Sequence, residues 1–226
     1  MSPGALGSLY PHLAPRAAPD DGRLDAALHE ATLAKCRDSV EVKSRFFADH
    51  AARLLRAAHL LADSYRGGGR LYTMGNGGSS CDAAHIAVEF LHPVTAGRPA
   101  LAAVNLTADV AMLSAVANDV GFAHVFVRQI VAHARAGDAL FGISTSGNSE
   151  NLLAGFAKAR ELGLTTIGFT GGDGGAMKTA GTVDHCLVVP SASVHRIQET
   201  HVAAYHILWD LVHALLADDR GGAGAP

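Results

Sequence analysis

The same local plan occurs twice in this chain: an apolar run of strand length, a turn of Gly, Ser and Asn, and at once a helical pattern. The first copy is LYTMGNGGSSCDAAHIAVEF, from Leu71 to Phe90, and the second is ALFGISTSGNSENLLAGFAKARELG, from Ala139 to Gly163. Strand, tight turn and helix in immediate succession is the unit of a parallel sheet, and small residues at the turn let backbone N–H groups approach a ligand at the carboxyl ends of the strands. Two such turns, one of them carrying Ser144, Thr145, Ser146 and Ser149, point to a phosphorylated small molecule. The likeness between the copies is too loose to mark a duplicated domain.

The rest of the chain extends this alternation. Apolar runs at 71–74, 100–104, 139–143, 165–170 and 186–189 predict five strands. Helical periodicity over 79–91, 109–117, 122–136, 148–162 and about 196–217 predicts the helices between and after them. The expected fold class is α/β, a doubly wound five-stranded parallel sheet flanked by helices. Between Arg23 and Tyr65 apolar residues recur at helical spacing, among them Leu24, Leu28, Val42, Phe46, Leu54, Ala58 and Leu61, and predict two helices ahead of the sheet, ended by Gly67, Gly68 and Gly69. Residues 1–20 hold four of the eight prolines among Ala, Gly and Ser, and read as an unpacked tail. Residues 219–226 read as a second, flexible tail, leaving 21–218 as one domain.

Composition narrows the partner. With a formal net charge of −3 and 18 basic residues scattered along the chain, neither a nucleic-acid groove nor a membrane-surface patch is indicated. No stretch is apolar for the ~20 residues of a membrane span, and the N-terminus lacks the pattern of a secretion signal. Cys36, Cys81 and Cys186 are odd in number and form no CxxC pair, which fits reduced thiols and a cytoplasmic location.

The STSGNSEN turn is the stronger anion signal, because hydroxyls and a Gly precede a helix whose first N–H groups and dipole favour phosphate. Ser149 with Glu150 has a plainer reading as a helix cap. The turn is neither a Walker A loop nor a GxGxxG fingerprint, which disfavours nucleotide hydrolysis and dinucleotide binding. His85 and Glu89 stand four apart on the helix after GNGGSS and so share a face; an ordinary surface ion pair is the plain alternative. On the last helix the eight-residue step from Gln198 to His206 separates them by about 80° around the axis. Packed across the mouth of the sheet, that helix could bring His85, Glu89, Gln198 and His206 together on a divalent metal or a substrate carbonyl. His185, His195 and His213 read as structural or solvent-facing, and His201 fits either role. Asn118 and Asp119 serve equally as a cap and turn or as ligands for sugar hydroxyls.

Together these residues resemble the sugar isomerase (SIS) family and, within it, the phosphoheptose isomerases. The matching stretches are GNGGSSCDAAHIAVEF, the AND of 117–119, GISTSGNSENLLAGFAKARELG, TGGDGG and RIQETHVAAYHIL, which span about Gly75 to Leu208. GNGGS and STSGNS carry the likeness to sugar-phosphate binders; His85-x3-Glu89 with Gln198-x7-His206 narrows it to this isomerase branch. The resemblance implies a SIS fold and conversion of sedoheptulose 7-phosphate to an aldoheptose 7-phosphate through an enediolate. It also implies a homotetramer with shared active sites, in which the N-terminal helices serve oligomerisation. Asn76, Gly77, Gly78 and Ser79, with Ser144, Thr145, Ser146 and Ser149, match substrate-holding positions, the serine loop gripping phosphate. Asn118 and Asp119 match sugar contacts, and Glu89 and Gln198 match further substrate-binding positions. His85, Glu89, Gln198 and His206 match a set that binds zinc in some members, and Glu89 and His206 match the acid/base pair. A carboxylate and an imidazole suit that work, one proton leaving C1 and another returning to C2.

The chain departs from the family pattern in two places. After Glu89 it reads Phe90-Leu91-His92-Pro93-Val94, without the family's arginine, and His195 stands where an aspartate is usual. The competing expectation is a non-catalytic phosphosugar-binding relative that regulates a protein partner such as a replication initiator, against which Glu89, Gln198 and His206 speak. A sugar-responsive transcription regulator would need a basic helix-turn-helix segment ahead of Gly67, and a glucosamine-phosphate synthase an N-terminal glutaminase domain. An etherase acting on a phosphorylated amino sugar is a further enzyme of this fold, distinguished by release of lactate.

Overall fold

The computed structural model describes residues 21–218; the expectations for the tails at 1–20 and 219–226 lie outside the described residues. The region expected to form two helices is one, α1 (Asp21–Arg66), of 46 residues. Neither Gly nor Pro occurs between Arg23 and Arg66, so nothing breaks the hydrogen-bond ladder where the apolar spacing shifts. The chain divides within this helix into two compact units, at Asp38 and Ser39. Throughout 22–38 the side chains are exposed. In the second unit Val42, Phe46, Leu54, Ala57, Ala58, Leu61 and Ala62 of α1 are buried.

The second unit is built on five parallel strands, β1 (Leu71–Gly75), β2 (Ala103–Asn105), β3 (Ala139–Ser144), β4 (Thr165–Gly171) and β5 (His185–Val189). They lie in the order β2-β1-β3-β4-β5. The helices are α2 (Gly78–Leu91), α3 (Val110–Asp119), α4 (Val125–His133), α5 (Glu150–Glu161), α6 (Gly175–Thr179) and α7 (Val194–Asp218), with a 3-10 turn at Phe122–His124. Central strands covered on both faces must be apolar throughout, and every residue of β1 and β3 is buried. Alternate residues go to opposite layers. Leu71, Phe141, Ile143, Ile167 and Phe169 join a core with α1, α2 and α7. Tyr72, Met74 and Leu140 join the other, with residues of α3, α4, α5 and α6.

Several boundaries differ from the expectation. β2 begins at Ala103 rather than 100, because the Leu101 N–H is taken by Phe90 O at the end of α2. The stretch 122–136 divides into a 3-10 turn and α4. The TGGDGG loop leads straight into the short helix α6, which begins at its last glycine and is entered through Gly174 at φ 96°; the run of glycines, of low helix propensity, conceals it in the sequence.

The strand order fixes where a ligand can sit. β1 and β3 are neighbours, but the chain leaves β1 through α2 on one layer and β3 through α5 on the other. In open parallel sheets a reversal of this kind marks the ligand position, outside the carboxyl ends of the two strands, and the two glycine- and serine-rich turns stand there.

Candidate active site

The first turn closes tightly. Gly77 enters α2 at φ 53°, Ser79 N donates to Asn76 O at 3.0 Å, and Ser80 N donates to Gly77 O at the same distance. A Cβ on Gly75 would lie 2.2 Å from Ser79 O, so only glycine allows the turn to fold back on β1. In the second turn the Ser144 hydroxyl accepts from Gly147 N at 3.1 Å and lies 3.2 Å from the Ser149 hydroxyl. Ser149 occupies the N-cap position of α5, yet its hydroxyl makes no cap hydrogen bond. The plain cap reading therefore accounts for its position and not for its side chain, which turns into the loop. Thr145 is half-buried and Ser146 exposed, and the first N–H groups of α5 have no acceptor within the helix. Asn148 joins the turn to α6, its Oδ1 accepting from Ala176 N at 2.9 Å.

Asn76 and Asn151 hold the two turns against each other, each donating its amide to the other's carbonyl oxygen at 2.9 Å. Asn151 is 2% exposed. It was absent from the expected site residues, although its place in the first turn of the helix after STSGNS was a usable signal.

Beside the first turn, α2 and α7 bring three ligating side chains together. Ligand atoms of His85, Glu89 and His206 all lie within 4.8 Å of one another. His85 Nε2 is 3.1 Å from Glu89 Oε1, and the His85 and His206 rings meet edge-on with centroids 5.0 Å apart. Gln198 arrives from the same helix against the first turn: a Cβ on Gly78 would be 2.2 Å from its Nε2. Of the four residues expected to converge, His85, Glu89 and His206 form the cluster and Gln198 stands against the first turn, whereas Asn118 and Asp119 are exposed at the end of α3 and bond each other at 2.8 Å.

One face of α7 assembles this corner. At steps of three, four and four residues, Gln198 meets Gly78, the His201 ring bonds Thr170 O at 3.1 Å, the Tyr205 hydroxyl lies 2.7 Å from His85 Nδ1, and Trp209 Nε1 donates to Glu89 O at 2.8 Å. Burial pushes the His201 imidazole down to about 4, the bond to Thr170 O pulling the other way. Burial pushes the Asp82 carboxyl up to about 6 against the pull of His85, and its Oδ2 has no hydrogen-bond partner. Tyr205 is held well above the ordinary tyrosine range by burial and by the charges of Asp82 and Glu89.

A SIS domain model matches residues 36–171. The phosphoheptose isomerase of Desulfovibrio desulfuricans is 44% identical over 196 residues, 86% of this chain and 91% of that protein. The chain belongs to the phosphoheptose isomerase family of SIS-domain proteins. The phosphoheptose isomerase of Neisseria gonorrhoeae superposes with a TM-score of 0.77 at 37% identity, covering 83% of this chain and 99% of the other. That of Francisella tularensis gives 0.73 at 33% identity, over 81% and 98%.

Against that family pattern, the segment after Glu89 buries Phe90 and exposes Leu91 and Val94. The arginine nearest in sequence, Arg98, lies over the Trp209 ring at 4.3 Å and pairs with Asp210 at 2.8 Å. Arg98 therefore braces the Trp209 that holds the Glu89 backbone. His195 is exposed in the first turn of α7. Tyr205, Trp209 and Asp82 were not among the expected site residues. Only the matched stretches RIQETHVAAYHIL and GNGGSSCDAAHIAVEF contained a signal, and it reached Tyr205 and Asp82 but not Trp209.

Proposed function

We propose that this protein is an aldose–ketose isomerase converting sedoheptulose 7-phosphate to D-glycero-D-manno-heptose 7-phosphate, the first step of nucleotide-activated heptose biosynthesis. The observation that carries the reading is the meeting of Glu89, His85 and His206 from two helices beside the two anion-type turns. The phosphate goes to Ser144, Thr145, Ser146 and Ser149 at the N-terminus of α5, and Asn76, Gly77, Gly78 and Ser79 hold the chain of the sugar. Anchoring at that distance keeps the reacting carbons against the acid/base pair. Glu89 and His206 divide the proton transfers at C1, C2 and their oxygens. In this reading Asn118 and Asp119 touch sugar hydroxyls of a substrate held between subunits.

Two imidazoles and a carboxylate within 4.8 Å are a donor set suited to a divalent ion, and Gln198 adds a neutral amide oxygen. His85, Glu89, Gln198 and His206 would hold zinc, which when bound supplies positive charge to the developing oxyanion. The relatives named phosphoheptose isomerase and the intact Glu89, Gln198 and His206 favour catalysis over a phosphosugar sensor. We further propose a homotetramer with shared active sites, in which α1 serves assembly. The three free cysteines support a reducing, cytoplasmic setting.

The test is incubation with sedoheptulose 7-phosphate, following aldoheptose 7-phosphate by NMR, beside Glu89→Gln and a chelator-treated sample. The wild type forms product, and Glu89→Gln loses about 10²–10⁴-fold in rate. Binding of the phosphosugar with no turnover would overturn the isomerase in favour of the non-catalytic binder.

A further inference from the structure

We propose that Tyr205 is a positioning residue whose hydroxyl lets the His85 ring change which nitrogen carries its proton, so that one imidazole serves Glu89 in the metal-free protein and a cation in the loaded one. The loaded half of this inference rests on the cation reading above.

His85 is held at both ring nitrogens. On one side Nε2 lies 3.1 Å from Glu89 Oε1, and an ionised carboxylate only accepts, so Nε2 carries the proton and donates. In a neutral ring Nδ1 is then an acceptor, and the Tyr205 O–H, 2.7 Å away, donates to it. For Nε2 to ligate a cation beside Glu89 and His206, its proton must leave and Nδ1 must carry N–H. The partner of Nδ1 then has to accept. A backbone carbonyl or a carboxylate at that position would fix the Nδ1–H form, and an amide N–H would fix the other. A hydroxyl does either by rotating its proton. Tyr205 is 2% exposed, so water does not readily take over. The ring edges of His85 and His206, with centroids 5.4 and 4.8 Å from Tyr205, limit any other approach. Asp82, with its buried Oδ2 lacking a partner, supplies a carboxylate whose charge acts on the same hydroxyl.

The experiment compares full-length wild type with Tyr205→Phe, which keeps the ring and removes the hydroxyl. Two quantities are read: the ¹⁵N shifts of the His85 ring, assigned with His85→Gln, and the Zn²⁺ affinity by competition with a chelator. In metal-free wild type His85 is the Nε2–H form and Zn²⁺ moves the proton to Nδ1. In Tyr205→Phe the metal-free ring shows a mixture of forms, and Zn²⁺ binds about 10–100-fold more weakly, at a melting temperature close to wild type. Identical ring shifts and equal Zn²⁺ affinity in the two proteins would overturn the role of Tyr205. A wild type that takes up no Zn²⁺ would overturn the cation reading alone, and the metal-free ring shifts would then decide whether Tyr205 sets the tautomer.

Discussion

At the scale of single residues, Gly78 and His201 show how the site depends on atoms that do no chemistry. Gly78 admits the Gln198 amide where a Cβ would stand 2.2 Å from its nitrogen, and its φ is not in the left-handed region. Gly78→Ala displaces the flexible end of Gln198 rather than the backbone. Turnover should therefore fall at least tenfold while stability changes by less than about 1 kcal/mol, measured as kcat/KM beside urea unfolding. His201 is buried and held neutral down to about pH 4, whereas in the unfolded chain it protonates near 6.5. Below 6.5 the unfolded state binds a proton that the native state refuses, so stability falls as pH drops from 6.5 towards 4. The full loss is about 3 kcal/mol. Asp82, raised to about 6, acts in the opposite sense, because its folded form takes up a proton first. The His201 contribution is isolated by comparison with His201→Gln, whose unfolding free energy should decline less between pH 7 and 4; parallel declines would refute it.

Among elements, the decisive contacts are those between the two turns and along α7. The Asn76–Asn151 pair ties the end of β1 to the start of α5 through two hydrogen bonds. Asn151→Ala leaves a half-buried amide at Asn76 without its partner, at a cost of about 1–3 kcal/mol. Because it also frees the turns from each other, KM for the sugar phosphate should rise together with the loss in unfolding free energy. An unchanged KM would mean that the turns are placed by their own backbone bonds alone. The start of α7 is held to α1 by Glu199, which accepts from Ser39 at 2.6 Å and from Arg196 at 2.7 Å. Ser39 and Arg196 together hold its carboxyl below the ordinary range, the Ser39 bond contributing most. Next to Glu199, Gln198 inherits that alignment. Deeper in the layer, Gly142 on β3 gives up its own side chain to the ring of Phe156, which would lie 2.5 Å from a Cβ there.

For the whole molecule, the exposed Leu24, Leu28, Leu33 and Val40 of α1 accord with the assembly proposed above, which predicts a solution mass four times the 23.3 kDa chain; light scattering that returned a monomer would refute it. Alternation of apolar strands and helices was legible because a buried parallel strand must be apolar and a flanking helix amphipathic, and those demands are met locally. So were the two glycine- and serine-rich turns at the ends of β1 and β3, and the shared helix faces of His85 with Glu89 and of Gln198 with His206, since spacing on one helix fixes which side chains lie together. The single long α1 was concealed because a change in apolar phase looks like a break even where no Gly or Pro makes one. Asn151 and Tyr205 were concealed because their roles are contacts made across 75 residues for Asn76–Asn151 and 120 for His85–Tyr205, and sequence spacing carries no information about such pairs. By itself, then, the sequence determined the five strands, the helices that alternate with them, their order and the types of chemistry available, because each depends on residues within a few turns of one another. Tertiary structure alone decided that α7 brings Gln198, His201, Tyr205 and Trp209 to Gly78, Thr170, His85 and Glu89, because that placement is set by the shared burial of α1, α2 and α7 on one layer of the sheet.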